Sequence, residues 1–193
     1  MPKPNVHEKL VQAGLDLFHR AGFNASSVED ITGRARVPKG SFYNHFKSKE
    51  ALAVEVIDRY VEYVDGRSRS VLADTATPPV TRLTRCFAAL AEAFARSGYQ
   101  QGCLLGNFSS ELADHSARVR ARLDAAFNAW LEQIANVIKE AQDAGEVTSK
   151  LKPEQLASFL LSAYEGALLR ARAANDPAPL KDFASVGFNH LLR

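Results

Sequence analysis

The stretch Lys39-Gly40-Ser41-Phe42-Tyr43-Asn44-His45-Phe46 holds the densest set of groups able to recognise another molecule. Phe42 and Phe46 stand four residues apart, so on a helix they share one face and turn toward a core. Lys39, Ser41, Tyr43, Asn44 and His45 then remain outward, every one a hydrogen-bond donor or acceptor. Gly40 has no side chain to keep a phosphate away. Lys47 and Lys49 lie beside the start of the next predicted helix, where the helix dipole favours anions. Such groups suit base edges and phosphate oxygens. A helix that needed only to be soluble would more often carry Glu–Lys pairs here. The competing reading is a helical bundle whose polar helix is merely solvated.

A second stretch, Gly102-Cys103-Leu104-Leu105-Gly106-Asn107, places a thiol after a glycine loop and at the start of a predicted helix. The dipole there favours thiolate, and Cys103 is a candidate sensor. The alternative is a small buried apolar residue, the usual fate of a free cysteine. Cys86 lies one residue from an apolar stripe and is read as packing. Phe94, Asn107, Phe127, Trp130 and Tyr164 are candidates to line a ligand pocket, although aromatic residues at helical spacing, Phe87 included, also make plain core. Glu111 and His115, four apart, could share a metal, but no third ligand stands near them, so a capping or surface role is expected. No nucleophile elbow, P-loop, dinucleotide fingerprint or metal motif occurs, and Cys103 has no obvious base. Neither catalysis nor a cofactor is expected.

The elements that must position these groups read as helices throughout. A first helix runs from about Val6 to Ala21, with Leu10, Gly14, Leu17, Phe18 and Ala21 on one face, and Gly22 supplies a left-handed stop. Ser26 with Glu29, or Ser27 with Asp30, could cap a short second helix that turns Val28, Ile31 and Ala35 inward. Pro38 opens a third helix, Lys39 to His45, and Ser48 caps a fourth that reaches about Leu72. Thr75-Ala76-Thr77-Pro78-Pro79 is the clearest internal break. A fifth helix follows with Val80, Leu83, Phe87, Leu90 and Phe94, then a short sixth from Cys103 to about Asp114. The seventh is long and ends before Gly145; the eighth spans Leu156 to Ala174 and the ninth Leu180 to Leu192. The fold class is all-α.

With 193 residues, 46% hydrophobic and 24% charged, the chain can bury a sizeable core and is not disordered. Net charge is only +2, but its distribution is uneven: residues 1–50 hold eight Lys/Arg against five Asp/Glu, and three of the five histidines. That is a mild electrostatic footprint consistent with phosphate contact. No apolar run approaches a membrane span, the N-terminus lacks a signal-peptide core, and two cysteines make no disulfide framework, so a cytoplasmic protein with free thiols is expected.

Gly22-Phe23, Ser26-Ser27-Val28-Glu29-Asp30-Ile31 and the run from Val37-Pro38-Lys39 through Phe46-Lys47-Ser48-Lys49-Glu50-Ala51-Leu52 resemble the DNA-binding domain of TetR-family repressors. The resemblance covers about the first quarter of the chain. It implies an N-terminal helix-turn-helix domain over 1–50, a helical ligand-binding and dimerisation domain over 51–193, and a fourth helix, about 49–72, joining them. It implies that Ser27, Lys39, Ser41, Tyr43, Asn44 and His45 lie at the DNA with Lys49 on a phosphate; Arg36 and Gly40 are added to that set. The implied partners are a palindromic operator and a small-molecule or electrophile inducer. Gly102-Cys103-Leu104 further resembles the cysteine-bearing subgroup that includes the N-ethylmaleimide-reductase repressor. The eighth and ninth helices are expected to pair with their two-fold mates, since Leu156, Phe159, Leu160, Ala163, Ala167, Phe183, Val186 and Leu191 give them apolar faces.

Overall fold

Asn5 opens the first helix by accepting the Glu8 N–H on its side chain at 2.9 Å, relieving one of the unpaired donors of a helix start. The computed structural model describes residues 5–192. Among them run α1 (Val6–Ala21), α2 (Val28–Ala35), α3 (Gly40–Tyr43), α4 (Lys49–Leu72), α5 (Pro79–Arg96), α6 (Leu104–Leu112), α7 (Ala117–Asp143), α8 (Pro153–Ala174) and α9 (Ala178–Val186), which ends in a π turn over Gly187–Leu191. No strand occurs among the described residues. The chain packs as two compact units: residues up to Tyr63 with Cys103–Ala126, and Val64–Gly102 with Phe127 onward. The divisions fall inside α4 and α7.

The first unit is built on an aromatic and aliphatic core. Leu10, Phe18, Ile31, Phe42, Leu52, Ile57, Leu104, Leu105 and Phe108 are fully buried. Phe18, Phe23 and Phe108 form a triangle of rings with centroids 5.3–6.1 Å apart, joining α1 to α6. Gly14 lies where α1 crosses α4: a Cβ there would come 3.0 Å from Leu52 and 3.2 Å from Val56. Arg34 on α2 pairs with Asp16 on α1 at 2.8 Å, and Arg122 on α7 pairs with Asp58 on α4.

The second unit centres on Phe87, Tyr164, Phe183 and Phe188, whose rings meet at 5.1–5.7 Å. Arg82 of α5 is buried in the same unit. Its guanidinium donates to the Leu72 carbonyl at 2.7 Å, closing the C-terminus of α4, and pairs with Glu140 of α7. Gln142 donates to the carbonyls of Ser149 and Leu151, holding the segment before α8.

The sequence-derived boundaries need correction at several places. The third helix is only Gly40–Tyr43, because the next N–H groups fold back on one carbonyl: His45 and Phe46 both donate to Phe42 O. The sixth is shortened to Leu104–Leu112, while the eighth begins earlier, at Pro153, with proline in its first turn and the Lys152 N–H on Gln155. Past Val186 the ninth becomes a π turn. Phe183 of α9 and Phe188 of the π turn are both buried, with ring centroids 5.7 Å apart. Ala21 is exposed rather than part of the core face of α1. Gly22 stops α1 not in the left-handed helical region but at φ 90°, ψ 164°.

The α1–α4 crossing yields a stability test. Gly14→Val must push Leu52 and Val56 aside and is expected to lower unfolding free energy by about 1–3 kcal/mol in denaturant titration. A change within a few tenths would show that the crossing is looser than drawn.

Candidate nucleic-acid interface

Ser27 decides where the site begins. Of the two capping boxes the sequence allows, the structure forms the one from Ser27 to Asp30. The Asp30 N–H donates to Ser27 Oγ at 3.1 Å, and the Ser27 N–H donates to Asp30 Oδ2 at 2.8 Å. The Ser27 hydroxyl also donates to that carboxylate, which is the main reason the Asp30 carboxyl is held below its ordinary range, with the Ser27 N–H adding to it. A carboxyl depressed in the folded state stabilises above the ordinary range near pH 4 and loses that contribution as pH falls through its folded value. Ser26 is instead buried, its hydroxyl on the Gly22 carbonyl at 2.8 Å.

At the other end of α2 the chain must reverse within a few residues. The Arg36 N–H reaches Gly33 O and the Val37 N–H reaches Thr32 O, both at 3.1 Å, the double bond of a Schellman turn. Arg36 supplies the left-handed residue, at φ 55°, a conformation that normally favours glycine. Pro38 then leads into α3.

Phe42 and Phe46 are buried with rings 5.6 Å apart, as their spacing predicts. The polar groups between and around them face out. Tyr43 is 62% exposed, its ring meeting only the edge of Phe42 among the contacts the structure shows. Asn44 and His45 are exposed, as are Ser27, Arg36, Lys39 and Gly40; Ser41 and Lys49 are half-buried. A Cβ at Gly40 would meet open space. Lys39 lies 3.1 Å from Glu29, both exposed, a surface pair that an incoming anion can replace at little cost.

Lys49 is placed differently from its neighbours. Its ammonium donates to the carbonyls of Phe23 and Ser26, each at 2.8 Å, and lies 4.0 Å above the Phe23 ring. Partial desolvation pulls its pKa below the usual lysine value, with Glu50 and Glu111 opposing. Glu111 of α6 receives the Asn24 N–H at 2.9 Å and sits where a Gly22 side chain would collide, 2.8 Å from the added Cβ. So Lys49 and Glu111 both hold the α1–α2 turn, and Glu111 serves as a cap. A capping or surface role was expected for Glu111 from sequence, but not its partner, which is 87 residues away. His7, also not singled out from sequence, lies against His45 and Phe46.

The geometry is that of a helix-turn-helix: α2 and α3 joined by a tight turn, with α3 pinned by two phenylalanines and polar outside. The model of bacterial regulatory proteins of the tetR family matches residues 10–56, and that of the tetracyclin repressor-like C-terminal domain matches residues 79–186. The chain belongs to the TetR family. It is 40% identical over 192 residues to the HTH-type transcriptional repressor DhaR of Mycobacterium sp. (strain GP1), covering 100% of this chain and 95% of that one. Among solved structures, the regulatory protein TetR from Rhodobacter sphaeroides superposes with TM-score 0.89 at 32% identity, over 96% of this chain and 98% of that one. The reduced form of E. coli NemR gives TM-score 0.88 at 26% identity, over 95% of each. TetR-family regulators bind operator DNA and small-molecule ligands, typically as dimers.

The ligand candidates of this TetR-family chain fall in two places. Cys103 and Asn107 belong to the first unit: Cys103 is buried and caps α6 in an extended conformation, and its carbonyl accepts the Asn107 N–H at 3.0 Å. Phe94, Phe127, Trp130 and Tyr164 belong to the second. There Phe127 and Trp130 meet edge-on at 6.1 Å, Phe94 meets Tyr99, and Tyr164 is part of the aromatic core around Phe87. Burial pushes the Cys86 thiol up to about 11, in keeping with packing.

The two ends of α2 predict opposite effects on stability. Ser27→Ala removes the cap and is expected to cost about 1 kcal/mol. Arg36→Gly relieves the left-handed strain and should add up to about 1 kcal/mol. Paired urea unfolding curves check both, and equal signs would contradict the cap geometry.

Proposed function

We propose that this chain is a sequence-specific DNA-binding repressor that reads a palindromic operator as a homodimer and is released by a small ligand or a thiol-reactive compound. The observation that carries the reading is the outer surface around α3, where Tyr43, Asn44 and His45 are exposed over the buried Phe42 and Phe46. Residues 1–50 act as the reading domain and 51–193 as the sensing and dimerising one, with α4 continuous between them. Lys39, Arg36 and Ser27 supply positioning contacts to phosphates, Gly40 lets a phosphate approach, and Ser41, Tyr43, Asn44 and His45 face the groove. Lys49 contributes through the α1–α2 turn that it ties down as well as through its charge.

Dimerisation is assigned to α8 and α9. Leu156, Leu160, Ala167 and Phe183 are buried within the protomer, but Phe159 and Val186 remain 57% and 56% exposed on the same two helices, which supports their use between subunits. Ala163 and Gly166 allow close approach of a second helix. Phe159→Glu is expected to shift the mass measured by light scattering at micromolar concentration from dimer toward monomer. Retention of the parent mass would move the interface elsewhere.

Operator binding is tested on the duplex that the protein selects from a random pool. Gly40→Ala should leave the fold as stable or up to about 1 kcal/mol more so, since its surroundings are open. It should nevertheless weaken DNA binding in a mobility shift, because the methyl group enters the space a phosphate needs. Alanine at Lys39, Tyr43 and Asn44 together, without loss of affinity, would show that another surface reads DNA.

Cys103 is assigned as the reactive position because it opens α6; that the similar E. coli NemR was solved in a reduced form supports a redox-responsive signal. Its burial restricts the reagent to a small electrophile. N-ethylmaleimide should release the operator from the parent and from Cys86→Ser, but not from Cys103→Ser. Normal release from Cys103→Ser would assign the inducer to non-covalent binding among the second unit's aromatic residues.

A further inference from the structure

His7 stands in the first turn of α1 and touches three other parts of the first unit. Its ring lies over Phe46 with centroids 5.0 Å apart and planes inclined by 27°, and meets His45 edge-on at 5.8 Å and 72°. Its Nε2 is 2.8 Å from Glu55 Oε2 on α4, and its Nδ1 is 4.0 Å from Glu8 Oε1. Glu8 in turn pairs with Arg59 at 2.8 Å, and Arg59 lies 3.5 Å from Glu62. Glu55 and Arg59 are one turn apart on α4, so two consecutive residues of α1 grip one face of α4.

This grip matters because of where α3 stops. The regular helix ends at Tyr43, and His45 lies beyond it in a tightened turn whose N–H returns to Phe42 O at 3.0 Å. An exposed imidazole past the end of a short helix has no helical neighbour one turn further on to set its direction. His7 supplies a neighbour from α1.

Resting on the DNA-reading function above, we propose that His7 is a positioning residue for base reading: its ring, stacked on Phe46, sets the direction in which the His45 imidazole meets a base edge. Hydrogen bonds to base edges discriminate only when donor and acceptor are held in place, and an error of about 1 Å is enough to lose them. His7 need not touch DNA itself.

Three substitutions separate the ring from the hydrogen bond. His7→Ala removes both, His7→Phe keeps a ring over Phe46, and His7→Gln keeps a polar group toward Glu55. On the duplex selected by the parent protein from a random pool, His7→Ala should lower the ratio of specific to non-specific affinity about tenfold. The salt dependence should stay unchanged, because no phosphate contact is lost. His7→Phe should restore the ratio and His7→Gln should not. Without DNA, the Cε1–H resonance of His45 should move in His7→Ala and His7→Gln and return toward its parental position in His7→Phe. An unchanged ratio or an unmoved His45 resonance in His7→Ala overturns the proposal. Rescue by glutamine but not phenylalanine does so too, leaving His7 a plain tie between α1 and α4. Should the parent select no duplex, the DNA-reading function fails, and the His45 resonance still decides whether His7 positions it.

Discussion

A helix of four residues cannot stand by itself, and α3 is held in place by the burial of Phe42 and Phe46. Helix nucleation is unfavourable by a factor of roughly a thousand, so a single turn survives only on tertiary contacts. Each buried phenylalanine contributes about 1.5–3 kcal/mol, together of the same order as that cost. Both are essentially fully buried, with their rings in contact. Because the two rings face inward, the residues between and beside them have nowhere to point but out, and the exposure of Tyr43, Asn44 and His45 follows. The polar outer surface is thus a consequence of the core beneath it.

Charge is used around that surface in two ways. Lys39 and Glu29 form an exposed pair, screened and replaceable, so the lysine stays available to an anion. Lys49 is committed to two backbone carbonyls and a ring face, where desolvation opposes its charge and three partners compensate it. The same residue type is therefore exposed and replaceable at one position and committed to architecture at another, ten residues apart. Glu111 completes the arrangement by receiving the Asn24 N–H, which ties the turn to α6 and so to the first unit's core.

The second unit solves a different problem. Its aromatic cluster brings Phe183 of α9 against Phe188 of the following π turn edge-on at 5.7 Å, and both rings are buried. Buried Arg82 satisfies the end of α4 and is itself neutralised by Glu140, leaving α4 held firmly at its last residue. Only the arginine is desolvated, since Glu140 keeps half of its surface exposed, and the Leu72 carbonyl and Glu140 together offset the cost of burying the guanidinium.

Local pattern was enough to determine the all-helical class, most helix positions, the inward phenylalanines and the family. Periodicity, caps and prolines act within a few residues of one another, and the motif from Val37 to Leu52 is contiguous. Sequence left the capping box open between Ser26 and Ser27, and only packing chose, because burying Ser26 against Gly22 freed Ser27 for the helix. It also could not place Glu111 on Asn24, Lys49 on the Phe23 and Ser26 carbonyls, or His7 on Phe46 and His45. Those contacts join elements distant along the chain, where the partner is set by how helices cross and not by which residues adjoin. The resemblance implied domains over 1–50 and 51–193; the compact units divide inside α4 and α7. A helix is continuous in sequence, but which core it buries its faces in changes along its length, and that is decided only in three dimensions.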